Sequence, residues 1–292
     1  MSATTILFKL KSMAILLAGI FLLVACDKID EPFTKKAASG GNDTTGGVTK
    51  RVLLEDYTGH TCVNCPKAAK IAQGLKTTYG DRLVVLAIHA GGFANPTSGG
   101  DFTYDFRTDA GTAWDSFFGI SNVGNPNGLV NRKGYPGNHI LSPSAWGGAI
   151  STALAGEPEL DLAISNQYNA STRQLSTEIT TTFLSPLDIS LHLVVVLTES
   201  GIVKPQRNND ATIGIVPVIP DYVHNHVLRA AITSTWGTQV TYAGSTYPAP
   251  VIKSFTYALN SGFVPENCEV VAFVYNSDTK EVLQAAEADL VQ

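Results

Sequence analysis

Residues 51–89 read RVLLEDYTGHTCVNCPKAAKIAQGLKTTYGDRLVVLAIH, and the fold of the front half of the chain turns on this stretch. Arg51 to Tyr57 is a mostly apolar run, the pattern of a buried strand. The loop Thr58–Thr61 follows, then Cys62-Val63-Asn64-Cys65-Pro66. Beyond it Ala68, Ala69, Ile71, Ala72 and Leu75 fall at helical spacing. Pro66 sits just inside the start of that helix, where a missing amide proton costs nothing, and Gly80 ends it. Arg82 to His89 is a continuous apolar run of the kind found in parallel sheets. Together these segments predict a βαβ unit with a CxxC pair at the amino end of its helix.

That arrangement resembles the thioredoxin fold. Asp56 lies six residues before Cys62, the spacing at which thioredoxins carry a buried acid. A helix-like stretch, TDAGTAWDSFFGI (108–120), leads to VGNPNGLV (123–130) and a further strand. Thioredoxins carry a cis-proline beside the cysteines at such a point, and Pro126 is the candidate. Residues 143–155 would supply the last helix. A cysteine at a helix amino terminus has its thiolate stabilised by amide protons and the helix dipole. Cys62 is therefore expected to attack from an exposed position, Cys65 to resolve from a buried one, and Asp56 to move the proton. Thr61 stands where an aromatic residue is usual, the intervening dipeptide is Val-Asn, and an insert (91–110) follows the second strand. Two other readings stay open. In one the pair closes as a purely structural disulfide in an exported protein; in the other Cys62, Cys65, His60 and His89 hold copper or zinc. No cofactor and no metal is otherwise called for.

The amino terminus reads as a processing segment. Lys9 and Lys11 precede an uncharged apolar run (13–23), too short to span a bilayer. It ends in Leu23-Val24-Ala25-Cys26, which resembles the lipobox of bacterial lipoproteins. This predicts a leader at 1–25 and lipid on Cys26, the protein's link to a membrane. Residues 27–50 are rich in Gly, Thr, Asn and Lys and form a flexible tether. Asp27, Asp30 and Glu31 at its start are similar to acidic surface-export tags. The leader removes two of the 20 basic residues and none of the 25 acidic ones, so the net charge moves from −5 to −7. That balance argues against nucleic acid as a partner.

Near Glu157-Pro158 the texture changes from alternating strands and helices to strands alone. The expected organisation is a thioredoxin-like α/β domain (51–156) followed by an all-β Greek-key β-sandwich (157–292). Strands are read at 175–183, 187–197, 223–232 and 251–259, and a hairpin joins 270–275 to 281–286. His224 and His226 alternate along one strand and so are expected to share a face. They read as a satisfied polar pair rather than a metal site. Cys268 is left over by count and reads as a half-buried lone thiol.

DYTGHTCVNCPKAAK (56–70), VGNPNGLVNRK (123–133), YVHNHVLRAAITSTWG (222–237), ENCEVVAFVYN (266–276) and EVLQAAE (281–287), with the lipobox, resemble the Omp-twenty-eight-related outer-membrane lipoproteins of Bacteroidetes. The resemblance implies a lipid-anchored outer-membrane protein facing the periplasm or the cell surface. Two roles are compatible with it. One is thiol–disulfide exchange on exported protein thiols. The other is non-enzymatic binding of a surface ligand, as in an adhesin with a structural disulfide.

Overall fold

The computed structural model describes residues 47–291 except Thr246 and Pro248. The leader, the proposed lipid site Cys26 and most of the tether lie outside the described residues. The chain opens with the predicted unit: β1 (Val52–Thr58), α1 (Cys65–Tyr79) and β2 (Leu83–His89), with β1 and β2 parallel. Every residue of β1 is buried. Next come α2 (Asp109–Phe118), the single turn α3 (Ile120–Val123), β3 (Asn127–Val130) and α4 (Pro143–Leu154). Thr108 caps α2 by accepting from the amide of Gly111. Gly119 ends it in the left-handed conformation open to glycine.

The later strands are β4 (Leu160–Asn169), β5 (Gln174–Phe183), β6 (Leu191–Glu199), β7 (Ile202–Val203), β8 (Gln206–Arg207), β9 (Val218–Ile219), β10 (Val223–His224), β11 (Val227–Ala231), β12 (Thr238–Thr241), β13 (Val251–Ala258), β14 (Cys268–Asn276) and β15 (Val282–Asp289). An eight-stranded mixed sheet runs in the order β15-β14-β6-β11-β2-β1-β3, with β12 also on β6. Strands β13, β5 and β4 form a separate three-stranded sheet. The junction that matters is β11 beside β2, parallel, with Val227 opposite Ala87 and the Ala87 amide donating to the His226 carbonyl at 2.8 Å.

This sheet runs straight across the boundary expected at Glu157-Pro158, and the described residues from 47 onward fall in one compact unit. The β-rich second half does set two sheets face to face, but the larger of them is continuous with β2, β1 and β3 and is not confined to residues 157–292. Its longest buried strands, β6 and β14, extend the sheet begun by β1 and β2, because they are apolar on both faces and need cover on both.

Alternation sorts the cover. Leu53, Tyr57, Leu86, Ile88, Val194, Val196 and Phe273 point to the face where α2 packs with Trp114 and Phe118. Val52, Leu54, Leu83 and Val85 point to the other face, under α1 and α4. On that second face the three-stranded sheet covers the far end, setting Leu162 and Ile179 against Leu193, Val195 and Val270.

Glu55 also points to the α2 face, and no water reaches it. Its carboxylate takes two hydrogen bonds from Arg132, each 2.8 Å, and both side chains are fully buried. The guanidinium lies 4.9–5.6 Å from the ring centroids of Trp114, Phe118, Phe273 and Tyr275. A buried ion pair of this kind ties β1, the turn after β3, α2 and β14 into one core.

Candidate functional site

Cys62 and Cys65 are bonded to each other, with Cα atoms 5.4 Å apart. Cys65 is the first residue of α1, and Pro66 follows in the first turn. Each cysteine is 2% exposed. The expectation of an open Cys62 above a buried Cys65 therefore fails for this disulfide state. The physical reason is that two distant segments close over the loop. From the insert, the Phe93 carbonyl accepts from the amide (3.1 Å) and hydroxyl (2.8 Å) of Thr61. The approach is so close that a Cβ on Gly59 would lie 2.4 Å from the Phe93 backbone. On another side lies the segment that begins at Gln206. Its amide side chain donates to the carbonyls of Cys62 (2.9 Å) and Gly59 (3.3 Å). The amides of Arg207 and Asn209 donate to the carbonyls of His60 (2.9 Å) and Val63 (3.3 Å). The Asn209 side chain donates to Asn64 at 2.9 Å.

Asp56 follows the alternation of Val52 and Leu54 and so points to the α1 face. It is 3% exposed, and its Oδ1 has no hydrogen-bond partner among the described residues. Burial pushes its carboxyl up to about 7. A cavity of about 280 Å³ reaches it, bounded by Pro66, Ala69 and Gln73 of α1 and by Ile213, Tyr222 and Val223. The acid and the residue after the second cysteine thus share one space. Asn127 and Gly128 of β3 lie opposite Tyr57 and Asp56, so Pro126 falls in register with the end of β1 that runs into the cysteine loop. The Asn125–Pro126 peptide is cis.

Three histidines gather beside the loop. His89, at the end of β2, stacks on Phe106 of the insert with centroids 4.3 Å apart. His224 stands 4.6 Å from Phe106 and 5.5 Å from His89. His60 stacks on Phe102 at 5.6 Å. Burial holds all three imidazoles toward the neutral form: His224 falls to about 4, His89 well below its usual value, and His60 is lowered. No group of three or more His, Cys, Asp or Glu side chains among the described residues is close enough to hold a metal ion. The sulfurs of the suggested Cys62, Cys65, His60 and His89 set are bonded to each other.

His224 and His226 do not share a face. Asn225 and His226 interrupt the expected strand, and His226 has a left-handed backbone (φ 54°). His224 turns to the cluster, while His226 lies 3.9 Å from Glu269. Cys268 is 2% exposed rather than half-buried, and packs in the core beneath the three-stranded sheet. Burial raises its thiol to about 12, so it is an inert core residue.

Sequence reading overlooked Gln206, Asn209, Tyr222 and the aromatic residues of the insert. The alternation Phe102, Tyr104, Phe106 within DFTYDFR was the one usable signal, since three aromatics at period two seek a common surface. Gln206 and Asn209 lie in a polar, irregular stretch and gave none.

Fold and site together define a mixed α/β protein, rich in strands, with a disulfide at a helix amino terminus. The family model for outer membrane protein Omp28 matches residues 112–291. The chain belongs to that family and is accordingly an outer-membrane protein. Among solved structures, it is similar to HBP35 of Porphyromonas gingivalis at 18% identity and a TM-score of 0.61, covering 84% of this chain and 76% of that one. A protein of Agrobacterium tumefaciens is similar at 12% identity and a TM-score of 0.50, covering 84% of this chain and 96% of that one. A domain of the outer membrane lipoprotein Omp28 from P. gingivalis aligns at 22% identity over 46% of this chain and 88% of that one, with a TM-score of 0.31. No curated protein matches the chain.

Proposed function

We propose that this is an outer-membrane protein, anchored through lipid on Cys26, whose residues 51–156 form a thioredoxin-like unit that exchanges disulfides with thiols of exported proteins. The observation that carries the reading is Asp56. An unpartnered carboxyl buried beneath the cysteine-bearing helix costs stability, and a closed structural disulfide has no use for it. A thiol pair that opens and closes needs a nearby group that gives and takes a proton near neutral pH, and a carboxyl raised to about 7 is suited to that. The parallel β1-α1-β2 unit, the antiparallel β3 and helix α4 also support the thioredoxin-like reading. In exchange, a substrate thiolate attacks Cys62 Sγ, the Cys62–Cys65 bond breaks, and the leaving Cys65 thiolate takes the proton of Asp56. A second substrate thiolate then attacks the mixed disulfide, leaving the substrate oxidised and the pair reduced.

The burial of both sulfurs favours a second reading, in which the bond stays closed and the protein binds a surface ligand without chemistry. Turnover separates the two. The full-length protein in detergent should oxidise a reduced, unfolded protein substrate with glutathione disulfide as terminal oxidant. Cys62→Ser should abolish this and Asp56→Asn should slow it. Activity equal to that of Cys62→Ser would leave the binding role.

A further inference from the structure

The chain between β6 and β11 (residues 200–226) is a strap that returns to the cysteine loop more than 140 positions after it in sequence. Its two ends are pinned together by β7 and β10, with Val223 opposite Val203 and His224 opposite Ile202. Between them it is tied internally by the two-residue ladder of β8 with β9 and by Asn208, whose amide donates to the Pro217 carbonyl at 3.0 Å and whose side chain donates to the carbonyls of Asp210, Gly214 and Ile215. Ile215 and Val216 at its outer turn are exposed. The hydrogen bonds described above attach it to the loop, together with a long ion pair of Asp210 with Lys67 of α1 at 3.8 Å.

Gln206 and Asn208 are each 2% exposed, and each shares its side-chain amide among three carbonyls. Asn208 spends its bonds inside the strap, on Asp210, Gly214 and Ile215, whereas Gln206 Nε2 reaches out of it to the carbonyls of Cys62 and Gly59, with Arg207 as the third. No apolar contact is needed to explain its burial; the amide fills a gap lined by carbonyl oxygens, which requires a donor. The same strap supplies Ile213, Tyr222 and Val223 to the wall of the cavity that reaches Asp56. One segment thus covers both the sulfurs and the acid.

We propose that this strap governs access to the Cys62–Cys65 bond and that Gln206 is its latch, a positioning residue that holds the pair closed to thiols, small reagents included, until the strap lifts. The inference rests on the exchange reading above for its purpose, but not for its test. Lifting the strap frees Cys62 Sγ for in-line attack and opens the Asp56 cavity to water in the same movement. Closure accounts for a reactive pair that is buried at rest.

The test is the rate at which dithiothreitol reduces the bond in the folded full-length protein, followed by trapping the new thiols with an alkylating agent and mass analysis. Each turnover breaks one protein disulfide and forms one cyclic disulfide in the reagent. Gln206→Ala should accelerate reduction by about tenfold or more, as expected when donors to buried carbonyls are lost. Asn209→Ala, which removes only the contact to Asn64, should accelerate it less. An unchanged rate in folded Gln206→Ala overturns the proposal. Should that variant not fold, hydrogen exchange on the wild type decides. The amides of Arg207 and Asn209 must then report the same opening equilibrium as the reduction rate. Reduction that outpaces their opening by more than about tenfold would show that the bond is reached without lifting the strap. A closed, inactive disulfide would still show the latch effect, so loss of the exchange reading and loss of the strap are separate outcomes.

Discussion

Asp56 and His224 carry opposite pH signatures, and each is testable alone. The Asp56 carboxyl is raised to about 7 against an ordinary value of 3.8. Between those values the folded state holds more protons than the unfolded one, so stability falls as pH rises through the window. Asp56→Asn should therefore raise stability at pH 8 by a few kcal/mol, on the order set by about 1.4 kcal/mol per unit, and the gain should vanish near pH 4. Urea titrations at the two pH values check this. His224 works the other way. Its imidazole is lowered from 6.5 to about 4, so the unfolded state takes up protons first and stability is lost as pH falls from 6.5 toward 4. His224→Phe keeps ring contacts with Phe106 and Tyr222 and should flatten that loss. The Glu55–Arg132 pair gives a third test. Arg132→Met strands a buried carboxylate and should cost about 3–5 kcal/mol, while adding Glu55→Leu should recover much of it.

At the scale of elements, the sequence was most informative where periodicity is strong. Strand β1, helix α1, strand β2, helices α2 and α4 and the β14–β15 hairpin lie close to their expected places, because each has an unbroken apolar pattern and a clear stop such as Gly80 or Gly119. The expected strand 223–232 breaks where His226 adopts a positive φ, a conformation that histidine enters more readily than most residues but still uncommonly, so the apolar-polar alternation hides it. The strap escaped notice for a related reason. Its buried attachments to the cysteine loop go to backbone carbonyls, and a carbonyl is the same whatever residue carries it. Asp56 was legible from its spacing to Cys62, whereas its cavity was not, since Tyr222 and Val223 arrive from the distant strap. On the insert side, Gly59 is required by close approach. Gly59→Ala would drive a methyl into the Phe93 backbone and should destabilise the loop, read as faster exchange at the Thr61 amide.

The whole molecule is where composition misled most. A change from mixed elements to strands near Glu157 reads as two domains, yet strand-rich sequence can equally extend an existing sheet. The pairing of β11 with β2 and the aromatic cage around Arg132 join the two halves physically. A fragment ending at Gly156 would lose Phe273 and Tyr275 from that cage and expose the β2 edge. It should not give a cooperative melt, whereas residues 43–292 should unfold in one transition by calorimetry. Membrane attachment belongs to this scale as well. Cys26→Ala should release the protein from outer-membrane fractions or leave its leader uncut, as shown by fractionation after a high-salt wash.

The central claim, that the Cys62–Cys65 bond works by opening, is met most directly by its reduction potential in the intact protein. Equilibration with glutathione or dithiothreitol buffers should give a value above about −300 mV, within the range of exchange-active pairs. A value below about −300 mV would mark a bond built to stay closed, and would contradict it.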